Sequence, residues 1–95
     1  MLELTPNAKQ HLRAARARRD DDRNPKLVRR AGNVMLGFAL SPAPGDAVVR
    51  DSGMDVFVSK DLAPRLDAAI LDAQVRDGKR VLVLRRKDGL GWEEG

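Results

Sequence analysis

Apolar residues near the start of the chain recur at helical spacing behind a helix start signal. Thr5 precedes Pro6, and this pair suits a helix start because the threonine hydroxyl accepts a backbone N–H and proline at the first helical position loses no hydrogen bond. The pattern predicts a helix over residues 6–19. Its narrow apolar stripe consists of Ala8, Leu12 and Ala15.

The middle of the chain alternates in ways that are typical of strands. Residues 26–30 and 34–40 predict two strands, and the second is apolar on both faces, so we expect it in the centre of a sheet. Residues 47–50 and 54–58 flank the tripeptide DSG, in which Gly53 is suited to positive φ. These two segments therefore predict a β-hairpin.

Residues 60–75 have apolar side chains at helical spacing, which predicts a second helix, capped by Ser59 or Asp61. The apolar positions are Leu62, Leu66, Ala69, Ile70 and Ala73. Residues 79–87 then predict a strand with two apolar faces.

This order of elements predicts an α+β domain with a small mixed or antiparallel β-sheet and two helices. We expect residues 1–87 to form this single domain. Residues 88–95 contain three glycines, and we expect them to form a flexible C-terminal tail.

Composition excludes several kinds of chemistry. The 95 residues include no cysteine and a single histidine, His11, which excludes disulfides, thiolate nucleophiles and sulfur-ligated clusters. No apolar run is long enough to cross a bilayer, and the N-terminus does not resemble an export signal. We therefore expect a soluble cytoplasmic protein.

The basic residues predict candidate contacts for a ligand or partner. The formal net charge is +4, and residues 1–50 hold ten Lys or Arg against five acids. The arginines of the first helix and of the segment after it could follow phosphates of a nucleic acid or contact a protein, or could form a solvated face. Trp92 could anchor a partner or fold back over the sheet. The candidate contact residues are Arg13, Arg16, Arg19, Arg23 and Trp92.

Catalytic and metal-binding residues are harder to identify. His11 has no orienting partner and no nucleophile at recognisable spacing. The acidic run at residues 20–22 lacks the spacing of a calcium loop and is flanked by arginines that neutralise it. We therefore assign no catalytic residue, no metal ligand and no cofactor, and expect a protein that is not an enzyme.

Four motifs resemble those of the A-type iron–sulfur carrier family, the HesB/IscA-like proteins. They are LELTPNA at residues 2–8, PGDAVV at 44–49, VFV at 56–58 and LDAAILDAQV at 66–75. They occur in the family's order and with roughly its spacing, and the resemblance covers about residues 2–84. It implies the family's α+β fold.

The resemblance does not extend to the family's metal ligands. Members bind iron or a cluster through three cysteines, which would fall near residues 31–33 and 88–91 of this chain, and neither stretch contains a cysteine. The resemblance therefore implies a scaffold to which no functional residue of the family can be transferred.

These observations lead to two functional hypotheses. The first is a non-enzymatic HesB/IscA-like scaffold that has lost the cluster-ligating cysteines and binds another protein, in a role linked to iron–sulfur cluster assembly. The alternative is a basic nucleic-acid-associated module that uses the arginine-rich first helix. Neither hypothesis predicts an oligomeric state or involves a membrane.

Overall fold

Two mixed β-sheets, one α-helix and a short 3₁₀ helix make up the part of the chain that the structure describes. The structure is a computed structural model that describes residues 2–31, 33–51 and 53–87, without the side chains of residues 65–67. In chain order, the elements are β1 (Glu3–Leu4), α1 (Pro6–Ala17), β2 (Asn24–Arg30), β3 (Asn33–Ala39), β4 (Ala47–Asp51), β5 (Met54–Val58), a 3₁₀ helix (Ala63–Ala68), β6 (Ala69–Arg76) and β7 (Lys79–Arg86).

The larger sheet has the strand order β3-β2-β5-β4, and the smaller sheet has the order β1-β6-β7. In the larger sheet, β2 is antiparallel to β3 and parallel to β5, and β4 is antiparallel to β5. In the smaller sheet, β6 is parallel to the two-residue strand β1 and antiparallel to β7. Both sheets are therefore mixed.

One hydrophobic core joins the inner faces of both sheets to α1. The helix contributes Ala8 and Leu12, both fully buried. The strands contribute alternate residues, as expected when only one face of a sheet meets the core. The strand residues of this core are Leu27, Val34, Val49, Val56, Val58, Ala69, Leu71, Ala73, Leu82 and Leu84.

A threonine and an aspartate determine where β1 ends and α1 begins. The Thr5 hydroxyl accepts a hydrogen bond from the Ala8 N–H at 3.1 Å, as an N-cap should, and donates one to Asp72 Oδ1 at 2.6 Å. Asp72 Oδ1 also accepts from the Ala73 N–H at 2.8 Å. The Asp72 carboxylate thus connects β6 to the N-cap of α1, beside the point where the chain leaves β1 for the helix.

An ion pair ties the turn before β4 to the middle of β2. Asp46 accepts a hydrogen bond from the Ala43 N–H at 2.8 Å, and the Lys26 ammonium lies 2.9 Å from its carboxylate. The Asp46 side chain is only 3% exposed. Burial alone would raise the pKa of Asp46, but the bonds from Lys26 and Ala43 outweigh burial and lower it.

The structure confirms the α+β class, the mixed sheet and the first helix, which ends two residues earlier than predicted. The hairpin of β4 and β5 is also confirmed, with Gly53 at φ +85°. The central position predicted for residues 34–40 is wrong, because β3 is an edge strand of the larger sheet. Its inner face packs on the core, whereas Met35 on its outer face is 48% exposed.

The second helix, predicted over residues 60–75, is also wrong. The segment forms a short 3₁₀ helix and then β6, which pairs with β7 along its whole length. Asp77 and Gly78 join the two strands with φ values of +51° and +75°, and a two-residue Asp-Gly loop of this kind favours a hairpin. Pairing with β7, and with the distant strand β1 at Ile70 and Leu71, therefore overrode the local helical spacing.

Within the described ranges, no helix is long and apolar enough to cross a membrane. Residues 88–95, predicted to be a flexible tail, lie outside these ranges, as does Trp92. The division into a domain of residues 1–87 and a tail stays a prediction.

Candidate functional site

Three of the predicted contact residues line one surface groove. Arg13, Arg16 and Arg19 lie along the C-terminal half of α1 and just beyond it, beside a groove of about 370 Å³ whose opposite side includes Asn24 and Met54. We call this the arginine groove. Arg23 is outside its lining but binds the same aspartate as Arg19.

The arginines of this groove are largely paired within the chain. Arg13 contacts Asp51 at 3.2 Å, and Arg19 contacts Asp21 at 2.7 Å. Arg16 donates to the Asp21 backbone carbonyl at 3.0 Å. The hydrogen bond from Arg19 holds the pKa of Asp21 down to about 2. Two aspartates thus offset part of the groove's positive charge.

Arg19 is held in place from a second direction. Its guanidinium lies 4.5 Å from the centroid of the Phe38 ring, a cation–π geometry. Its hydrogen bond to Asp21 raises the pKa of Arg19. The arginine groove therefore presents guanidinium groups in fixed positions. Their pairs within the chain leave them only partly available to bind an anion.

The chain's donor set does not fit an iron–sulfur cluster. The sequence contains no cysteine, and thiolates are the ligands that such clusters require. In the ranges that the structure covers, no three His, Asp or Glu side chains lie close enough together to hold a metal ion. The family's cysteines would fall near residues 31–33 and 88–91. The first stretch follows β2, and the second lies outside the residues that the structure describes.

His11 lies on α1 in a half-buried position and is not part of a visible catalytic pair. Partial burial lowers the pKa of His11, and the positive charges of Arg80 and Arg18 lower it further. The imidazole is therefore mainly neutral at pH 7. Among the residues described, no acid orients it, as a general base would require.

A second groove lies where β1 stops and β6 continues. It has a volume of about 390 Å³, and α1 contributes Asn7 and Gln10 to one side while β6 contributes its residues from Asp72 to Val75 to the other. Arg80 of β7 completes the lining. We call this the β6 groove. A helix over residues 60–75, as the sequence predicts, leaves no such groove, although Asp77-Gly78 between two apolar runs is a local signal for the hairpin.

Comparison with known proteins identifies the fold. No protein-family model and no curated protein matches the chain. Among solved structures, the chain is similar to Escherichia coli SufA, which is involved in the biosynthesis of iron–sulfur clusters. The TM-score is 0.72 at 22% sequence identity, over 90% of this chain and 84% of SufA.

A second solved structure supports the same assignment. It is IscA with a 2Fe–2S cluster, with a TM-score of 0.60 at 19% identity over 100% of this chain and 99% of IscA. Both matches extend over nearly the whole chain, and they agree with the four motifs in the sequence. The chain therefore has a HesB/IscA-like fold, without a cysteine anywhere in its sequence.

Proposed function

We propose that the protein is a non-enzymatic HesB/IscA-like scaffold that binds another protein and does not itself carry an iron–sulfur cluster. The observation that carries the proposal is the fold of SufA and IscA on a chain without a single thiolate donor. Because soft sulfur ligands stabilise these clusters, oxygen and nitrogen donors alone are a poor replacement. The role of SufA supports a partner from iron–sulfur cluster assembly, in the cytoplasm.

Anaerobic reconstitution tests the loss of cluster binding. The purified chain and SufA, as a positive control, are incubated with ferrous iron, sulfide and a thiol, then desalted and measured by visible absorption and iron analysis. We expect a cluster on SufA and a colourless, iron-free chain. Stoichiometric iron and sulfide on the chain would overturn this part of the proposal.

Protein binding is tested separately with the full chain as bait in its native host. Captured proteins are identified by mass spectrometry, purified and titrated against the chain by calorimetry. We expect a direct partner that takes part in iron–sulfur cluster assembly. If no captured protein binds the purified chain directly, the proposed role as a protein-binding scaffold is wrong.

A nucleic-acid-binding function is the second candidate, because three guanidinium groups line one groove of a chain with a net charge of +4. Its weakness is the pairing of Arg13 with Asp51 and of Arg19 with Asp21. The test is retention on a nucleic-acid column as a function of salt. If Arg13, Arg16 and Arg19 each neutralise a phosphate, replacing all three with glutamine should reduce the logarithmic salt slope by about 2 to 3.

A matched variant controls for the change in net charge. It replaces Arg30, Arg50 and Lys79 with glutamine, and these three residues are all exposed and lie outside the arginine groove. Equal retention of the two variants would eliminate the arginine groove as a nucleic-acid site. Loss of retention in the groove variant alone would rank this function above the first proposal.

A further inference from the structure

Beyond the end of β1, one edge of β6 has no strand partner in the part of the chain that the structure describes. Strand β1 pairs only with Ile70 and Leu71, whereas β6 continues to Arg76. On its other edge, β6 pairs with β7 throughout. Among the described residues, no strand pairs with this edge of β6 from Asp72 to Val75, beside the β6 groove, and we call it the free edge.

The direction of each backbone group along this edge follows from the pairing. The Lys87 N–H donates to the Ala68 carbonyl, and the Thr5 N–H donates to the Leu71 carbonyl. Since backbone groups in an antiparallel ladder alternate between the two edges, even-numbered residues of β6 bond to β7. The backbone groups of Leu71, Ala73 and Val75 point to the β1 side.

Three of these backbone groups have no hydrogen-bond partner among the residues that the structure describes. Asp72 Oδ1 satisfies the Ala73 N–H, as described above. The Ala73 carbonyl and both the N–H and the carbonyl of Val75 stay unpaired. Val75 is 68% exposed, so a strand can reach these groups. An unpaired edge of this kind is a template for β-strand addition.

The charges around the groove indicate what kind of strand fits. Both oxygens of Asp72 are occupied, Oδ1 by Thr5 and Ala73 and Oδ2 by Arg85 at 2.8 Å. Arg80 is exposed and pairs with no carboxylate within the described chain. The uncompensated charge of the lining is therefore positive, and it favours an occupant with an acidic side chain.

We propose that the free edge of β6 at Ala73 and Val75 binds an extended, acidic peptide segment of the partner protein, with an acidic side chain of the segment paired to Arg80. The peptide adds a short strand to the sheet beyond the end of β1, where the chain turns into α1. The Asn7 and Gln10 amides line the other side of the same groove and can hydrogen-bond to the peptide. This inference rests on the proposed protein-binding function and locates its binding site.

A proline substitution tests the backbone contact. Val75→Pro removes the outward N–H that β7 does not use, and proline is tolerated in strands where its N–H would face solvent. Val75→Thr keeps the N–H and the β-branched shape, so it is the matched control. The probe is the tightest binder selected from a phage-displayed library of short random peptides on the wild-type chain, labelled for fluorescence anisotropy.

We expect the selected peptides to be rich in Asp and Glu. Val75→Pro should weaken binding about tenfold, the effect of one lost hydrogen bond, whereas Val75→Thr should bind like the wild-type chain. In the wild-type chain, hydrogen exchange of the Val75 amide should slow when the peptide is added. This last measurement tests the edge even if the proline variant fails to fold.

A charge reversal tests the role of Arg80. Arg80→Glu should weaken binding of the acidic peptide more than tenfold, and the difference should shrink as salt is added. Arg50→Glu makes the same change in net charge at an exposed position on the larger sheet and should leave binding unchanged. Equal effects of the two variants would rule out specific pairing with Arg80.

Several outcomes would overturn the inference. These are failure to select any peptide, selected peptides that bind Val75→Pro as tightly as the wild-type chain, or an unprotected Val75 amide in the complex. Protection of that amide that grows with protein concentration, without peptide, would assign the edge to a second copy of the chain instead.

The partner captured from the host separates this inference from the proposed function. A partner that binds wild-type chain and Val75→Pro equally would refute the edge site and leave the protein-binding function intact. Absence of any direct partner, with peptides still binding at the edge, would refute the proposed function and leave the edge site as an isolated binding property.

Discussion

The carboxylate of Asp72 connects the start of α1 to both neighbouring strands, and its removal should destabilise the domain measurably. It accepts hydrogen bonds from the Thr5 hydroxyl at 2.6 Å, the Ala73 N–H at 2.8 Å and Arg85 at 2.8 Å, and its side chain is 13% exposed. Hydrogen bonds to a charged group contribute about 1.5 to 3 kcal/mol each, while the half-exposed Arg85 pair contributes less than about 1 kcal/mol. Because these bonds share one group, we expect Asp72→Ala to lower the free energy of unfolding by about 3 kcal/mol.

The pH dependence of this contribution follows from the same contacts. The Thr5 hydrogen bond, followed by those from Ala73 and Arg85, holds the pKa of Asp72 below its usual range in the folded chain. A carboxyl with a lowered folded pKa stabilises fully above its unfolded pKa of about 3.9 and loses this contribution as pH falls through the folded pKa. The difference between wild type and Asp72→Asn should therefore be constant near neutral pH and should shrink below about pH 4.

Urea denaturation of wild type, Asp72→Ala and Asp72→Asn at neutral and acidic pH measures both effects. Asp55→Asn is the control, because Asp55 forms an exposed pair with Arg50 at 3.4 Å, and its replacement should cost less than about 1 kcal/mol. If Asp72→Ala costs no more than Asp55→Asn, the carboxylate does not hold the junction together. A difference that persists unchanged at low pH would refute the assigned ionisation.

Two further predictions concern α1. Leu12 is fully buried, so Leu12→Ala should lower the free energy of unfolding by about 3 kcal/mol and the melting temperature by about 10 to 20 °C. The exposed control Gln10→Ala should change stability by less than about 0.5 kcal/mol, and equal melting temperatures for the two variants would contradict the packing of α1. His11 should titrate by NMR below its usual pKa of 6.5, and Arg80→Gln should raise that midpoint; a midpoint at or above 6.5 in the wild-type chain would refute the assigned environment.

The parts of the fold that depend on neighbouring residues were predictable from the sequence. Thr5 and Pro6 start α1 through contacts within one turn, and Gly53 permits the hairpin of β4 and β5 through its own backbone angles. The sequence does not predict strand β6, because Ala69 and Ala73 fit a helical spacing and a strand alternation equally well. Pairing with β1 and β7 decides between the two: the Asp77-Gly78 loop is a local signal for β7, whereas no local pattern indicates the pairing with β1.

The candidate site also combines features that depend on neighbouring residues with features that depend on distant ones. Arg13 and Arg16 are three residues apart, so helical geometry places them near each other on α1, whereas Arg19 follows the helix end at Ala17 and its place in the groove is known only from the structure. The partner of Arg13 does not, because Asp51 is 38 residues away and is brought close by the packing of α1. Local sequence patterns do not predict the β6 groove either, since it exists because β1 stops after two residues while β6 continues.

The ion pair between Lys26 and Asp46 constrains how this sequence can diverge. Replacing only one partner would leave the other charge largely buried and uncompensated, which typically costs about 3 to 5 kcal/mol. Such single changes should be rare intermediates, whereas an exchange of both residues for an apolar pair is much less damaging. We therefore expect these two positions to covary among descendants of this gene. Such covariation would reveal a contact between residues that are 20 positions apart in the chain.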